Sequence, residues 1–252
     1  MALQEEFEQS GNWLFKRRGT LPIIILLVGW GLYLYSVYFP STFILRGTAY
    51  EVYYDYFCLL ISLIGLAIRI YAVGHTPENT SGRNTVEQVA DSLNTSGIYS
   101  IVRHPLYLGN FFMWLGPALM PGNFWFAIAF CLMYWVYYER IMFAEEQFLR
   151  RKFGETYLSW ANHRPAFWPA LGSGKFVKPM YPFSWRKVLK KEKNGLAAIF
   201  IIFCLFNLSA EFLRGTSHFN IVFIVLCILT GMLYIVLKYL KKYTQVLNEK
   251  GR

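Results

Sequence analysis

Six apolar blocks, each bounded by charged residues or turn formers, constrain this chain more than any other feature. They run Thr20 to Phe39, Tyr53 to Val73, Leu106 to Met120, Asn123 to Tyr138, Leu196 to Leu213 and Phe219 to Tyr239. Blocks of this kind suit hydrocarbon rather than a soluble core. In a bilayer every backbone N–H and C=O must find an internal partner, so the blocks are expected to be helices. No alternation of the kind a membrane β-barrel needs is visible. The expected fold is therefore an all-α polytopic membrane bundle of about six membrane segments, with its active site facing the cytoplasm.

The ends of the blocks are marked. Lys16, Arg17 and Arg18 precede the first, Pro22 suits its first turn and Pro40 follows it. Arg69, near the end of the second, is expected to snorkel to the interface. Pro121-Gly122 is a turn signal, so the third and fourth blocks should form a hairpin. Each has only about fifteen residues, against roughly 20 for a full span.

The net charge is +10. In a membrane protein this excess belongs at cytoplasmic helix ends. Placing the N-terminus in the cytoplasm leaves only Arg46 and Arg214 of the 25 Lys and Arg on the far side. A multi-pass protein with both termini cytoplasmic follows, and no nucleic-acid partner is expected. The acidic N-terminus and the lack of a small-residue cleavage site argue against a cleavable signal peptide. Cys58, Cys131, Cys204 and Cys227 all lie inside apolar blocks with no CxxC pair, so we read them as packing residues and expect no metal.

Between the blocks, residues 74–102 read as a polar loop with one short helix near Val86–Leu93. Its sequons at Asn79 and Asn94 are chance matches if the loop is cytoplasmic. Glu139 to Ala161 keeps apolar residues at helical spacing and reads as an amphipathic helix. Arg164 to Asn194 is proline-rich, carries Arg186, Lys187, Lys190, Lys191 and Lys193, and reads as a linker. Those lysines can simply enforce orientation, or attract anionic lipid. The expected units are 1–92, a membrane hairpin and loop; 93–170, the core; and 171–252, the basic linker and a terminal hairpin.

Two polar constellations stand out, both on the cytoplasmic side. Arg103, His104 and Pro105 sit where a polar loop enters a membrane helix. A helix start offers free N–H groups for a ligand, and Gly109 allows a ligand or a neighbouring helix to come close. The bland alternative is an interfacial anchor. The second constellation is Glu139-Arg140 and Glu145-Glu146. Adjacent carboxylates repel, so a positive group should sit near them. Arg140, Arg150 and Arg151 would serve if the cluster is structural, and a cationic ligand if it is functional.

Leu93 to Gly109 resembles the LxTxGxYxxxRHPxYxG signature of the isoprenylcysteine carboxyl methyltransferase family. Membrane phosphatidylethanolamine methyltransferases are more distant relatives. The resemblance continues through Glu145-Glu146, Leu149, Phe153-Gly154, Tyr157, Pro165 and Pro169, with Trp160 where a second Tyr is usual. It implies S-adenosylmethionine as cofactor and a membrane lipid or lipidated substrate as acceptor. It also implies a cofactor set of Tyr99, His104, Pro105, Tyr107, Gly109, Glu145 and Glu146.

The cofactor it implies is cationic, which suits a partly desolvated carboxylate. Methyl transfer is in-line, so positioning dominates catalysis. An anionic oxygen acceptor needs no base, only a cation to hold it. Arg103, Arg140 and Arg164 are the candidates for that grip, and Arg103, Arg140 and Glu146 for the catalytic set. The terminal hairpin after the motif points away from a protein-prenyl substrate and toward a lipid of a bacterial inner membrane.

Three alternatives remain at this point. One is a phospholipid amine N-methyltransferase. Another is an NADPH-dependent membrane sterol-type reductase, against which Leu106 stands where those enzymes carry Asn, and Glu145-Glu146 replaces their second motif. The last is a non-catalytic scaffold.

Overall fold

The computed structural model describes residues 2–80, 88–170, 172, 176–216 and 219–251. Its helices are α1 (Leu3–Lys16), α2 (Thr20–Tyr38), α3 (Glu51–Gly74), α4 (Pro105–Leu119), α5 (Phe124–Phe153), α6 (Glu155–Ala161), α7 (Trp185–Arg214) and α8 (Ile221–Tyr243). Among the described residues the one extended pairing is an isolated bridge between Gly97 and Val177. The all-α class is therefore as expected. Among the described residues four helices, α3, α5, α7 and α8, are long and apolar enough to cross a membrane.

Several local expectations change. Helix α1 was not anticipated. It lays Gly11 and Phe15 against α5, where a Cβ on Gly11 would meet Arg140 O at 2.1 Å. Gln88 to Leu93 is irregular, and Val86 and Glu87 lie outside the described residues. The fourth block and the charged segment after it are one helix, α5, of 30 residues. It turns into α6 at Gly154, whose φ of 53° suits a residue without a Cβ. The basic run is not a linker beyond Ser184, whose side chain caps α7 by accepting from Lys187 N. The run forms the first turns of that helix because Lys and Arg are good helix formers and no proline interrupts them.

The far ends of the helices are tied together by charge. Arg46 donates to Glu51 at 2.8 Å and to Met120 O at 2.8 Å. Arg214 donates to the same Glu51 at 2.7 Å and to Glu211 at 3.1 Å. Tyr54 OH donates to Leu119 O at 2.8 Å. The two arginines isolated by the charge count thus share one carboxylate, and the α4–α5 turn lies at the same end of the bundle as both.

That common end makes the short α4 informative. Gly65 and Gly109 bring α3 and α4 into backbone contact: a Cβ on Gly109 would sit 2.5 Å from Arg69 Cγ and 2.8 Å from Gly65 O. Beyond this level α3 continues to Gly74, whereas α4 has begun by Pro105. The start of α4 is therefore recessed by roughly 7 Å. Gly109→Leu is expected to cost about 1–3 kcal/mol by overpacking. A thermal melt in detergent reads this, and an unchanged melt would mean that the two helices separate freely.

Two apolar cores flank the recess. One gathers Phe15, Tyr107, Phe111, Tyr134, Tyr138 and Phe167 from α1, α4, α5 and the segment after α6. The other gathers Tyr33, Leu66, Phe203, Phe206 and Phe223 from α2, α3, α7 and α8.

Candidate active site

The two sequence motifs meet through backbone hydrogen bonds. Arg103 N donates to Pro165 O at 2.9 Å, His104 N to Ala166 O at 3.0 Å, and Ala170 N to Ile101 O at 3.0 Å. Pro165 and Ala166 of the second motif thus present carbonyls to a strap made by the first. The strap is anchored further by Ser100, whose Oγ donates to Gly97 O at 2.6 Å and accepts from Val177 N at 2.9 Å. His104 is the N-cap of α4 and Pro105 its first residue, where the missing N–H costs nothing.

The strap then delivers its side chains to α5. His104 Nε2 lies 2.9 Å from Glu146 Oε1, and its Nδ1 lies 3.5 Å from Glu145 Oε2. Arg103 Nη1 donates to Glu146 Oε2 at 3.1 Å. Tyr107 stacks beneath the imidazole, with ring centroids 5.6 Å apart and planes at 22°. The positive group expected beside the glutamate pair is therefore His104 with Arg103. Of the cations considered on α5, Arg151 pairs with Glu8 at 2.5 Å, and Arg140 lies 3.2 Å from the centre of the Phe7 ring on α1.

Only an imidazolium can donate to two carboxylates at once. Burial by itself disfavours that charge, but the hydrogen bonds and charges of Glu145 and Glu146 outweigh it and push His104 up to about 9. A raised value stabilises the fold fully below the ordinary histidine range and is lost as pH climbs through about 9. The expected contribution is at most about 3 kcal/mol. The melting temperature should fall between pH 6.5 and 9.5, and His104→Gln should flatten that fall. Parallel profiles for the two proteins would remove the imidazolium.

Above this cluster the recess forms a cavity of about 830 Å³. Tyr99, Arg103, His104, Pro105, Tyr107 and Glu145 line it. Glu146 stands behind them, bonded to Arg103 and His104. Gly109 faces α3 instead of the cavity, because its missing Cβ is taken up by helix contact. Arg140 and Arg164 also lie away from it. Arg164 donates to the carbonyl of its neighbour His163.

The structure adds residues that the motifs did not include. Arg69 on α3 is buried and does not reach for an interface. Its Nε and Nη2 donate to Glu192 on α7 at 2.8 and 2.7 Å, and its Nη1 donates to Asn110 at 2.7 Å. All three residues line the cavity. A wall of Ala198, Ile199 and Ile202 on α7 faces Pro22, Ile23 and Leu26 on α2 across it. Two signals were present in the sequence: an arginine inside an apolar block, and one glutamate within a run of lysines.

The cavity suits a ligand with both charge and aromatic surface. The Glu145 side chain is 32% exposed and lines the cavity, so its carboxylate can meet a cation while still beside His104. Arg103 Nε and Trp160 Nε1 are buried N–H donors without a partner among the described residues. Tyr99, Tyr107, Trp114 and Phe148 supply ring faces. This donor set fits a molecule that carries a positive centre, a carboxylate and a flat heterocycle.

Comparison with known proteins points to the same region. Residues 54–156 match the phospholipid methyltransferase family. The chain is 38% identical over 80 residues to the protein-S-isoprenylcysteine O-methyltransferase of Schizosaccharomyces pombe, covering 31% of this chain and 34% of that one. It is 41% identical over 76 residues to protein-S-isoprenylcysteine O-methyltransferase B of Arabidopsis thaliana, covering 29% and 38%. It is 32% identical over 115 residues to the cobalt-zinc-cadmium resistance protein CzcN of Cupriavidus metallidurans, covering 45% and 50%. The chain thus spans half or less of the length of these curated relatives. No solved structure matches significantly.

Proposed function

We propose, for a chain whose residues 54–156 match the phospholipid methyltransferase family and whose core is similar to isoprenylcysteine methyltransferases, that it transfers a methyl group from S-adenosylmethionine to a membrane lipid. The acceptor atom in this reading is an anionic oxygen, and the site faces the cytoplasm. The observation that carries it is Glu145, aimed into a cavity at a recessed helix start with His104 and Arg103 held behind it by Glu146.

S-adenosylmethionine, when bound, supplies an electrophilic methyl group. Glu145 would hold a positive centre at a partly desolvated position in the cavity, where a charge interaction is worth more than in solution. Arg103 Nε and Trp160 Nε1 offer the N–H groups that a carboxylate accepts from. The strap Ile101–His104 excludes water from one side, since its own backbone groups are bonded to residues 165–170. Tyr107 fixes the ring plane of His104 by stacking. Positioning of this kind is what an in-line displacement requires.

The acceptor preference rests on charge. Arg18, Arg69, Arg103, His104 and Lys191 face the cavity against Glu145 and Glu192. A cationic excess draws in a carboxylate or phosphate oxygen and disfavours a protonated amine. Arg69 is committed to Glu192, and Arg140 and Arg164 lie elsewhere, so of the arginines beside the motifs Arg103, although bonded to Glu146, is the one at the cavity to meet the anion. Lateral entry between α2 and α7 would let a lipid chain reach the cavity without leaving hydrocarbon.

The test is incubation of the purified protein with labelled S-adenosylmethionine and total membrane lipid, followed by mass spectrometry of the lipid that gains a methyl. Label in an acidic lipid is the expected result. Saturable NADPH binding without S-adenosylmethionine binding would overturn the proposal in favour of a reductase.

A further inference from the structure

On the face of α4 that lines the cavity, the amide side chain of Asn110 stands between Leu106 and Met113. Residues at these spacings share one side of a helix. A polar group at this level of an apolar helix needs a partner or a task. The partner is Arg69, whose Nη1 donates to Asn110 Oδ1 at 2.7 Å. A guanidinium has only hydrogens to give, so the amide can face it only with its oxygen. Arg69 is itself held by two bonds to Glu192, of 2.8 and 2.7 Å. The amide is therefore locked in one orientation, with its NH2 group turned away from Arg69. That group carries two hydrogens. One serves the Tyr138 hydroxyl, which lies within hydrogen-bonding reach of Asn110. The other is left for whatever fills the cavity.

The two helices that carry these residues fix the depth of the donor. Ring contacts of Tyr107 with Tyr138 and of Phe111 with Tyr134 show that α4 and α5 run in opposite directions. Asn110 follows His104 on α4, and Tyr138 precedes Glu145 on α5. Both steps lead about 10 Å into the bundle. The donor thus sits roughly two turns deeper than the His104 and Glu145 cluster. Ala198, Ile199 and Ile202 on α7 line the same cavity. A soluble cofactor held near the surface and an acceptor held in hydrocarbon would meet across such a step.

We infer that Asn110 sets the chemical class of the acceptor by donating to one oxygen of an oxyanion headgroup while another oxygen of that group attacks. This rests on the methyltransferase reading and names the residue that would give the site its preference for oxygen. A carboxylate or a phosphate has an oxygen to spare for the bond. A lone pair of the attacking oxygen forms the new C–O bond, the C–S bonding pair returns to sulfur, and no proton has to leave. A neutral amine has a single lone pair, which the N–H of Asn110 would occupy. A protonated amine would meet a donor where it needs an acceptor. The same amide therefore favours oxygen and works against nitrogen. Arg103 draws an anion by charge, whereas Asn110 sorts acceptors by hydrogen bonding, which discriminates more steeply than apolar fit.

The experiment releases the full chain from nanodiscs of phosphatidylcholine doped in turn with oleic acid, dioleoyl phosphatidic acid and oleylamine, and reads the retained lipid by native mass spectrometry. Wild type should retain at least one of the two acids over oleylamine, and the acid retained names the oxygen. Asn110→Ala removes the donor and adds no charge. Its retention of that acid should fall about 10- to 100-fold, the worth of a hydrogen bond to a charged group. Its affinity for S-adenosylmethionine should be unchanged, which also shows that it is folded. Asn110→Asp keeps the oxygen that Arg69 bonds and turns the donor into an acceptor, so it should lose the acid and gain oleylamine. Equal retention of acid and amine by wild type, or a preference for the amine, would overturn the inference. So would unchanged acid retention in Asn110→Ala, because a loss confined to Asn110→Asp would be the field of the new charge. An equal loss of acid and amine in Asn110→Ala would mark a packing role and overturn it too. If wild type binds no S-adenosylmethionine but its acid preference still depends on Asn110, the methyltransferase reading falls and Asn110 stands as an oxyanion-binding residue.

Discussion

Glu145→Gln is expected to cut methyl transfer by at least about 100-fold, the scale seen when one preorganised electrostatic partner is removed from a site of this kind. The fold should survive, because the amide keeps the shape of the carboxylate and His104 retains Glu146 at 2.9 Å. The loss should appear in cofactor discrimination as well as in rate. S-adenosylmethionine carries a sulfonium and S-adenosylhomocysteine does not, so only the former loses a charge partner at this position. The ratio of their dissociation constants should therefore shift toward the neutral product. A variant that keeps its rate, or one that weakens both molecules equally, would remove Glu145 from the cation-binding role. His104→Ala provides a second arm. It leaves Glu145 and Glu146 without the ring between them, and the expected result is a folded but inactive protein.

Glu192→Ala is expected to be the most destabilising single change outside the glutamate cluster. Its carboxylate accepts two bonds from Arg69, and the side chains of the pair are 10% and 3% exposed. Removing one partner leaves a buried charge uncompensated, at a cost of about 3–5 kcal/mol. The melting temperature in detergent should fall accordingly, and Arg69→Met should do the same. The double variant Arg69→Met/Glu192→Leu should recover most of the stability, because no orphaned charge remains. It should not recover turnover, since the polar floor that Arg69, Asn110 and Glu192 give the cavity would be lost. Additive losses in the double variant would show that the two residues do not act as a pair.

These two expectations were unequally legible. Glu145 and His104 stood in linear motifs, and their residue types carried their chemistry openly. The pair of Arg69 and Glu192 lies 123 positions apart in the chain. The arginine read as a snorkelling residue because it stood near the end of an apolar block. The glutamate was lost in a basic run that looked like a linker. Neither reading used a wrong rule. Each lacked the fact that α3 and α7 lie side by side, which hydropathy does not encode. Arg140 and Arg164 illustrate the opposite case. They stood close to the motifs in sequence, but helical rotation sends Arg140 to Phe7 on α1, and Arg164 folds back on His163.

The linear sequence by itself was enough for the helical class, the apolar character of the segments, the two motifs and the asymmetry of charge. All of these follow from local composition and from the bilayer's demand that backbone groups be satisfied within each segment. Tertiary structure alone decided where α4 begins relative to α3, and hence that a cavity exists. It also placed Lys191 and Glu192 of the basic run on the wall of that cavity, and it supplied the cations that hold the glutamates. The physical reason is helix packing. The close contact of Gly65 with Gly109 sets the depth of α4, and depth, unlike hydrophobicity, is a relation between segments.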